Sequence, residues 1–267
     1  MSEASKKMGA SRGAAWRRRL LARIATLAGI LLLWVIVSAL AGHSPLYPSP
    51  AEVALGAVEM AADGLLFLDI AVSAARVASG FMLGGLGGIL LGILTGRLIS
   101  LDVTIGQVLT LLRPIPSIAI VPFAIIWIGI GELGKLTIIA WAAFFPAWIA
   151  THLGVLRSNV RLEWVARSCG ASEMQIVASV VLPNALPLMV AGLRTSLGAS
   201  FVSLFAAEMV GGPNGVGYRI NVSHMSFQAD RMLVGLVCLA AAGAAADALF
   251  LKFTEKLAPW IFSSSHK

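Results

Sequence analysis

The chain has 267 residues, of which 58% are hydrophobic and 12% are charged, and its mean hydropathy is +0.88. A soluble domain has about 25% charged residues, so the composition excludes an ordinary soluble protein and, with its long apolar runs, indicates membrane-spanning helices. The net charge of +7 does not indicate nucleic-acid binding, because the basic residues cluster at the edges of apolar runs, as on the cytoplasmic side of membrane proteins.

Six apolar segments predict an all-α integral membrane protein with six transmembrane helices. In chain order they are 24–41, about 74–95, about 103–130, about 136–155, about 188–209 and about 232–251. The third is interrupted by Pro114, Pro116 and Pro122. The first segment has the basic flank of a signal peptide, but its apolar run of 18 residues exceeds the roughly 7–15 of a signal sequence, which favours an uncleaved helix.

The basic residues in the connections predict the orientation. With the N-terminus inside, 15 of the 20 Lys and Arg residues lie on the inner side and three on the outer side, as the positive-inside rule requires. Both termini are therefore predicted to be cytoplasmic. The resulting organisation is a basic tail 1–23, a first helix 24–41, a five-helix core 74–251 that includes a cytoplasmic loop 157–187, and a tail 252–267.

The second segment has a glycine at every fourth position. The five are Gly80, Gly84, Gly88, Gly92 and Gly96. A spacing of four follows one ridge of a helix, and small residues there let a second helix approach closely. The ladder predicts tight helix packing and indicates no chemistry.

Two patterns that suggest other chemistry do not hold. The segment 129–135 matches the start of a phosphate-binding loop, but the next residue is Leu136 where Ser or Thr is needed to reach magnesium. The chain is therefore not expected to hydrolyse a nucleotide. Cys169 and Cys238 are far apart and have no ligand-like neighbours, so neither a disulfide framework nor a metal site is predicted.

The one long polar interruption is 157–183, which lies in the predicted cytoplasm. Residues 160–169 have a helical pattern, and Gly170 is suited to the left-handed conformation that ends a helix. Ser172 and Gln175 then form the pattern of a capping box at the start of a second helix.

Two prolines, Pro183 and Pro187, are expected to end this second helix. The stretch therefore predicts two short helices joined at a sharp corner on the cytoplasmic face. An ordinary connecting loop would be a few residues long, so the length and capping indicate a partner outside the membrane.

The corner resembles the EAA loop of ABC importer permeases. The residues that carry the resemblance are Ala166-Arg167-x-x-Gly170-Ala171-Ser172 followed by Val180-Val181-Leu182-Pro183. The family has a glutamate six residues before the glycine. Here that position is Trp164, and the acid is Glu163, one place earlier. By this resemblance the ATPase-coupling residues are Glu163, Ala166, Arg167, Gly170, Ala171, Ser172, Leu182 and Pro183.

Shorter matches in the same order resemble the permeases for nitrate, sulfonates and taurine. They are Tyr47-Pro-Ser-Pro50, Leu112-Arg-Pro-Ile-Pro116, Gly192-Leu-Arg194, Ala207-Glu208, Gly215-Val-Gly217 and Pro259-Trp260. The resemblance implies the type I ABC importer permease fold (MetI-like) in a bacterial inner membrane. It also implies a non-enzymatic subunit without a cofactor of its own.

The partners that this family implies are a second permease copy in a homodimer, two cytoplasmic ATP-binding subunits that carry ATP and magnesium, and an external substrate-binding protein. The transported solute would be a small anion such as a sulfonate, taurine or nitrate.

Candidates for the translocation pathway are Arg113, Pro114, Pro116 and Glu208. An ionised group within a span is costly and often functional, and irregular backbone at membrane depth must face protein or a cavity. Instead of lining the pathway, Arg113 could extend its side chain to the membrane interface or stabilise the broken helix. Glu208 could simply face water. Three other arginines, Arg76, Arg97 and Arg194, are interpreted as anchors at the membrane interface.

Two other functions fit the sequence less well. A stand-alone secondary transporter or channel needs several ionisable groups in its spans, and the spans offer few beyond Glu208 and Asp247. An intramembrane hydrolase would use Ser200, but the glycine of the GxSxG pattern is replaced by Val202. Its histidine would have to be His152 or His224.

Overall fold

The computed structural model describes residues 21–260 apart from 23, 27 and 43, and within that part of the chain the regular structure is entirely helical. Most of the predicted tail 1–23 and the last seven residues of the predicted tail 252–267 lie outside the described residues. The helices are α1 (Ile24–Leu40), α2 (Pro50–Ala62), α3 (Leu65–Arg97), α4 (Ile99–Leu112), α5 (Ser117–Trp127), α6 (Glu132–Leu156), α7 (Val160–Ser168), α8 (Glu173–Met209), α9 (Val216–Met225) and α10 (Ala229–Leu257).

Among the described residues, four helices are long and apolar enough to cross a membrane: α3, α6, α8 and α10. Counted as one broken span, the bent pair α4 and α5 gives a fifth, and α1 is apolar but shorter. This arrangement is consistent with the six predicted segments. The second segment was predicted too short, because its helix begins at Leu65 rather than near Ala74.

The third segment is a helix pair bent by 100°. Helix α4 ends at Leu112 and α5 begins at Ser117, so the turn contains Pro114 and Pro116, as predicted. The backbone at Pro116 is extended (φ −66°, ψ 141°). This non-helical conformation separates α4 from α5, so that α5 starts along a different axis. Pro122 lies inside α5 and does not break it, so that part of the prediction was wrong.

Helix α8 is continuous from the corner after α7 through the predicted segment 188–209, which contradicts the prediction that Pro183 and Pro187 end a short helix. The reason is a π-helical turn over Val177–Val181 just before the first proline. This wider turn changes the hydrogen-bond register where Pro183 has no N–H to donate. The Asn184 side chain also donates to the Val180 carbonyl at 2.9 Å.

Helix α6 is the centre of the bundle. Half of the residues in its most apolar 18-residue stretch are buried, against 11% in the corresponding stretch of α10. The predicted close packing of the glycine ladder is confirmed, because the ladder lies directly against α6. A Cβ atom at Gly88 would lie 2.6 Å from the Phe144 carbonyl oxygen, and one at Gly92 would lie 2.8 Å from that of Trp148. Helix backbones can approach this closely only where no side chain separates them.

Helices α1, α2 and α10 form a smaller layer beside this core. Val53 and Met60 of α2 are buried against Val234 of α10. The segment before α2 is fixed to α1 by the indole of Trp34, which donates to the Pro48 carbonyl at 3.0 Å.

The ladder gives a direct test with two adjacent glycines. Gly88→Ala is expected to lower the stability of the purified protein by about 1–3 kcal/mol, because its Cβ meets backbone atoms that cannot move aside. Gly87→Ala is the control, since a Cβ there would lie 3.7 Å from the Phe144 ring, an ordinary contact. Thermal unfolding in detergent, followed by size-exclusion chromatography, measures both. Equal stabilities for the two variants would contradict the close approach.

Candidate functional site

The corner between α7 and α8 has the caps that its sequence predicts. Gly170 adopts the left-handed conformation (φ +83°) after α7 ends. Ser172 then caps α8: its backbone N–H donates to Gln175 Oε1 at 2.7 Å, and its hydroxyl accepts from the Gln175 N–H at 3.4 Å. These reciprocal bonds fix the angle at which the chain leaves the corner.

An ion cluster joins the corner to the end of α3. One guanidinium nitrogen of Arg97 lies 2.7 Å from Glu163 of α7, and the other lies 2.9 Å from Glu173 of α8. Arg167 also lies 2.9 Å from Glu173. Because Glu163 is 7% exposed, its pair is far less screened than a surface ion pair. The cluster therefore holds α7, α8 and α3 together.

The predicted coupling residues mostly build the corner. Ala166, Ala171 and Leu182 pack against a buried cluster that contains Ile176 and Val181, both fully buried. Glu163 and Arg167 belong to the ion cluster, and Gly170 and Ser172 form the turn and the cap. Pro183 lies exposed on α8.

Other residues form the outward surface of the corner. Trp164 is 62% exposed, Val165 61% and Met174 79%. We refer to these three side chains as the apolar face of the corner. Residues of this kind are normally covered by a membrane or a partner.

A second ion cluster lies at the opposite end of the bundle, which the charge distribution predicts to be the outer end, and we refer to it as the outer cluster. Glu208 is fully buried and accepts three hydrogen bonds of 2.7 Å, from the Ser73 hydroxyl, the Arg76 guanidinium and the Gly217 N–H. Arg76 also lies 2.6 Å from Glu132 at the start of α6. The interpretation of Arg76 as an interface anchor was therefore wrong, because the side chain is 6% exposed. The Glu208 carboxylate points into this cluster and is not exposed to water.

Asp69 extends the outer cluster to α9. It is 1% exposed, accepts from the Gly215 N–H at 2.7 Å and lies 2.8 Å from Arg219. The cluster thus clamps the connection between α8 and α9 onto α3. The sequence interpretation missed Asp69 by placing it in an outer connection. Asp69, Ser73 and Arg76 are spaced four and three residues apart, which places them on one face of a helix. This spacing is the sequence signal that could have assigned Asp69 to the same helix as Arg76.

A third site is an open groove of about 780 Å³ between the α4–α5 bend, α6 and α8. Arg113 and Ile115 line it from the bend, Trp141 from α6 and Thr195 from α8. Of the four pathway candidates, the structure places Arg113 in this groove and Glu208 away from it. Pro114 and Pro116 form the bend beside it.

The residues of the hydrolase alternative do not form a catalytic pair. The Ser200 hydroxyl is buried and donates to the Ser196 carbonyl of its own helix at 2.9 Å. His152 Nδ1 lies 3.0 Å from the Thr95 hydroxyl instead. Asp247, the second acid considered for ion coupling, forms a close ion pair with Arg194 at 2.6 Å.

Comparisons with known proteins agree with this architecture. Residues 88–258 match the family model described as the binding-protein-dependent transport system inner membrane component. The permease protein SsuC of Bacillus subtilis (strain 168), named for aliphatic sulfonates transport, is 33% identical over 86% of this chain and 84% of its own length. The taurine transport system permease protein TauC of Escherichia coli (strain K12) is 31% identical over 94% of both chains.

Among solved structures, a chain of the inward-facing MetNI methionine ABC transporter superposes with a TM-score of 0.55 at 21% identity, covering 70% of this chain and 95% of that one. This likeness shows the fold, the MetI-type importer permease fold that the sequence predicts.

The chain belongs to the binding-protein-dependent transport system inner membrane component family, the permease subunits of ABC importers. It is a multi-pass membrane protein and a transport subunit rather than an enzyme. ATP-binding subunits and a substrate-binding protein are the partners that this family implies.

The outer cluster can be tested by removing one charge. Glu208→Gln is expected to cost about 3–5 kcal/mol of stability, because it leaves the Arg76 guanidinium buried without its full counter-charge. The matched control is Glu59→Gln, since Glu59 is 64% exposed and lies 3.3 Å from Arg231, a pair worth about 0–1 kcal/mol. Thermal unfolding of both purified variants measures the difference. A Glu208→Gln protein as stable as the control would contradict the clamp.

Proposed function

We propose that the chain forms, with a second copy of itself, the translocation path for a small organic anion, and that ATP-binding subunits dock on the cytoplasmic corner. Those subunits would carry the ATP and magnesium. Both termini are cytoplasmic in this proposal, because the basic connections lie on the side of the corner. The name of the relative SsuC, which refers to aliphatic sulfonates, supports an anionic solute.

The observation that carries the docking proposal is the apolar face of the corner. Trp164, Val165 and Met174 are exposed, whereas Ile176 and Val181 of the same corner are fully buried. The corner lies beside Arg97 and Arg167, and these basic residues support a cytoplasmic location for it. A protein groove that receives the apolar face would remove it from water, and tryptophan is a frequent hot spot of such interfaces.

A docked corner would transmit motion as a rigid unit. Arg97 bonds both α7 and α8, and α3 is in backbone contact with α6 along the glycine ladder. A displacement of the corner by closing ATP-binding subunits therefore moves α3 and α8 together. Such rigid-body motion of packed helices is a common basis for switching between two states.

Glu163 has a positioning role in this proposal. Its carboxylate is directed at Arg97 inside the corner, so it holds α7 rather than contacting a docked subunit. The neighbouring Trp164 side chain makes that contact.

The apolar face is tested by Trp164→Ala. Since this side chain is mostly exposed, truncating it should leave the stability of the permease within about 0.5 kcal/mol and weaken binding of the ATP-binding subunit by about 2 kcal/mol or more. The measurements are thermal unfolding of the permease and co-purification of the tagged subunit. Trp127→Ala is the control, because Trp127 is 77% exposed on α5, outside the corner. Undiminished co-purification of the Trp164 variant would sink the docking proposal.

The corner angle is tested at Gly170, where a Cβ atom would meet no other atom within 4 Å. Gly170→Val should therefore act only through the backbone, because a β-branched residue is a strong outlier at positive φ. Loss of ATP-driven uptake is expected with normal membrane insertion. Gly170→Asn should retain most uptake, since asparagine tolerates the left-handed conformation. If both variants transport equally well, the left-handed corner is not required.

A further inference from the structure

The groove beside the α4–α5 bend lies at middle depth in the bundle. The Trp141 indole contacts the Ile115 carbonyl at 3.4 Å, which ties the bend to α6 at the tenth of its 25 residues. At 1.5 Å per residue, Trp141 is about 14 Å from the outer end of α6 and about 22 Å from its inner end. Arg113, two residues before Ile115, is therefore within the depth of the hydrocarbon region.

The guanidinium of Arg113 has no ion pair or hydrogen bond to any residue that the structure describes, and the side chain is exposed to the groove. The buried arginine Arg76, in contrast, is bonded to two carboxylates. A cation at this depth is costly unless it faces water, a partner or a ligand. The groove offers it no carboxylate, because no Asp or Glu is among the described residues that line it.

The remaining walls of the groove are largely apolar. They include Trp141, Phe145, Ile149, Leu153 and Leu188. The hydroxyl of Thr195 is already bonded to the Ala191 carbonyl at 3.0 Å, which leaves the Ser117 side chain as the other polar group of the lining. A groove with one cation and apolar walls matches a ligand with one anionic end and an apolar body.

We propose that this groove binds an organic monoanion during transport, with Arg113 holding the anionic group and the apolar walls holding an alkyl or aryl body. This proposal rests on the proposed import function and specifies its substrate class. It excludes two ligand types as good occupants. A zwitterion would place its ammonium group where no carboxylate receives it, and a small inorganic anion has no body to fill the walls.

The test uses the complete permease with its ATP-binding subunits in phosphatidylcholine nanodiscs, without the external binding protein, so that only the groove selects. Tryptophan fluorescence is titrated with propane-, butane- and hexanesulfonate, with 3-aminopropanesulfonate, and with nitrate. The amino compound matches butanesulfonate in heavy atoms and differs by its terminal ammonium. Trp141→Phe identifies the signal that comes from the groove.

Saturable binding of the alkanesulfonates is expected, with affinity rising up to about fourfold for each added methylene group. Butanesulfonate should bind at least about tenfold more tightly than 3-aminopropanesulfonate or nitrate. Arg113→Gln should weaken butanesulfonate binding by about tenfold or more, and Arg113→Lys should restore most of it. Arg157→Gln, which removes an arginine that also has no ion pair among the described residues but lies outside the groove, should leave the affinity unchanged.

Several results would overturn the proposal. The first is equal binding of butanesulfonate and its amino counterpart, and the second is an unchanged affinity in Arg113→Gln. The third combines two observations: the complete complex shows no saturable binding, and Arg113→Gln lowers the fraction of permease that is dimeric. The last result would mean that a second permease copy covers the groove. Failure of the permease to assemble with ATP-binding subunits would count against the proposed function instead, since assembly does not depend on the ligand series.

Discussion

The close approach of α3 to α6 along the glycine ladder is the constraint on which the rest of the structure depends. Helix α3 has 33 residues and is about 50 Å long, and its two arginines, Arg76 and Arg97, are about 32 Å apart along it. Arg97 holds the corner between α7 and α8, and Arg76 holds the connection between α8 and α9. Backbone contact with α6 restricts sliding of α3 relative to α6. A displacement of the corner would therefore be transmitted along α3 to the outer cluster.

Charge is distributed in the bundle according to depth. Near the two ends the buried ions are compensated, as with Glu208, which accepts three hydrogen bonds, and Glu163, which is paired with Arg97. At middle depth Arg113 has no compensating partner among the described residues and faces the groove. Ions at the ends stabilise the helix arrangement, whereas the uncompensated cation would attract an anionic solute in the proposed binding groove.

Short-range signals in the sequence predicted the local structure well. The capping box at Ser172 and the left-handed Gly170 are each determined by residues within one or two turns, and the glycine ladder is a spacing of four within a single helix. The continuation of α8 through Pro183 was not predictable in this way, since it depends on the π-helical turn before the proline. The outer cluster around Glu208 unites residues up to 150 positions apart, and a single sequence contains no signal that pairs them.

The geometry of α7 explains the displaced acid of the EAA pattern. Adjacent residues of a helix point about 100° apart, so Glu163 and Trp164 cannot serve the same surface. Glu163 is directed inward at Arg97, and Trp164 is directed outward and is 62% exposed. The position at which the resemblance places the family's glutamate is therefore occupied here by an apolar side chain on the proposed docking surface. Because the acid of this chain is paired internally with Arg97, a partner that docks on the corner as proposed would need an apolar pocket for Trp164.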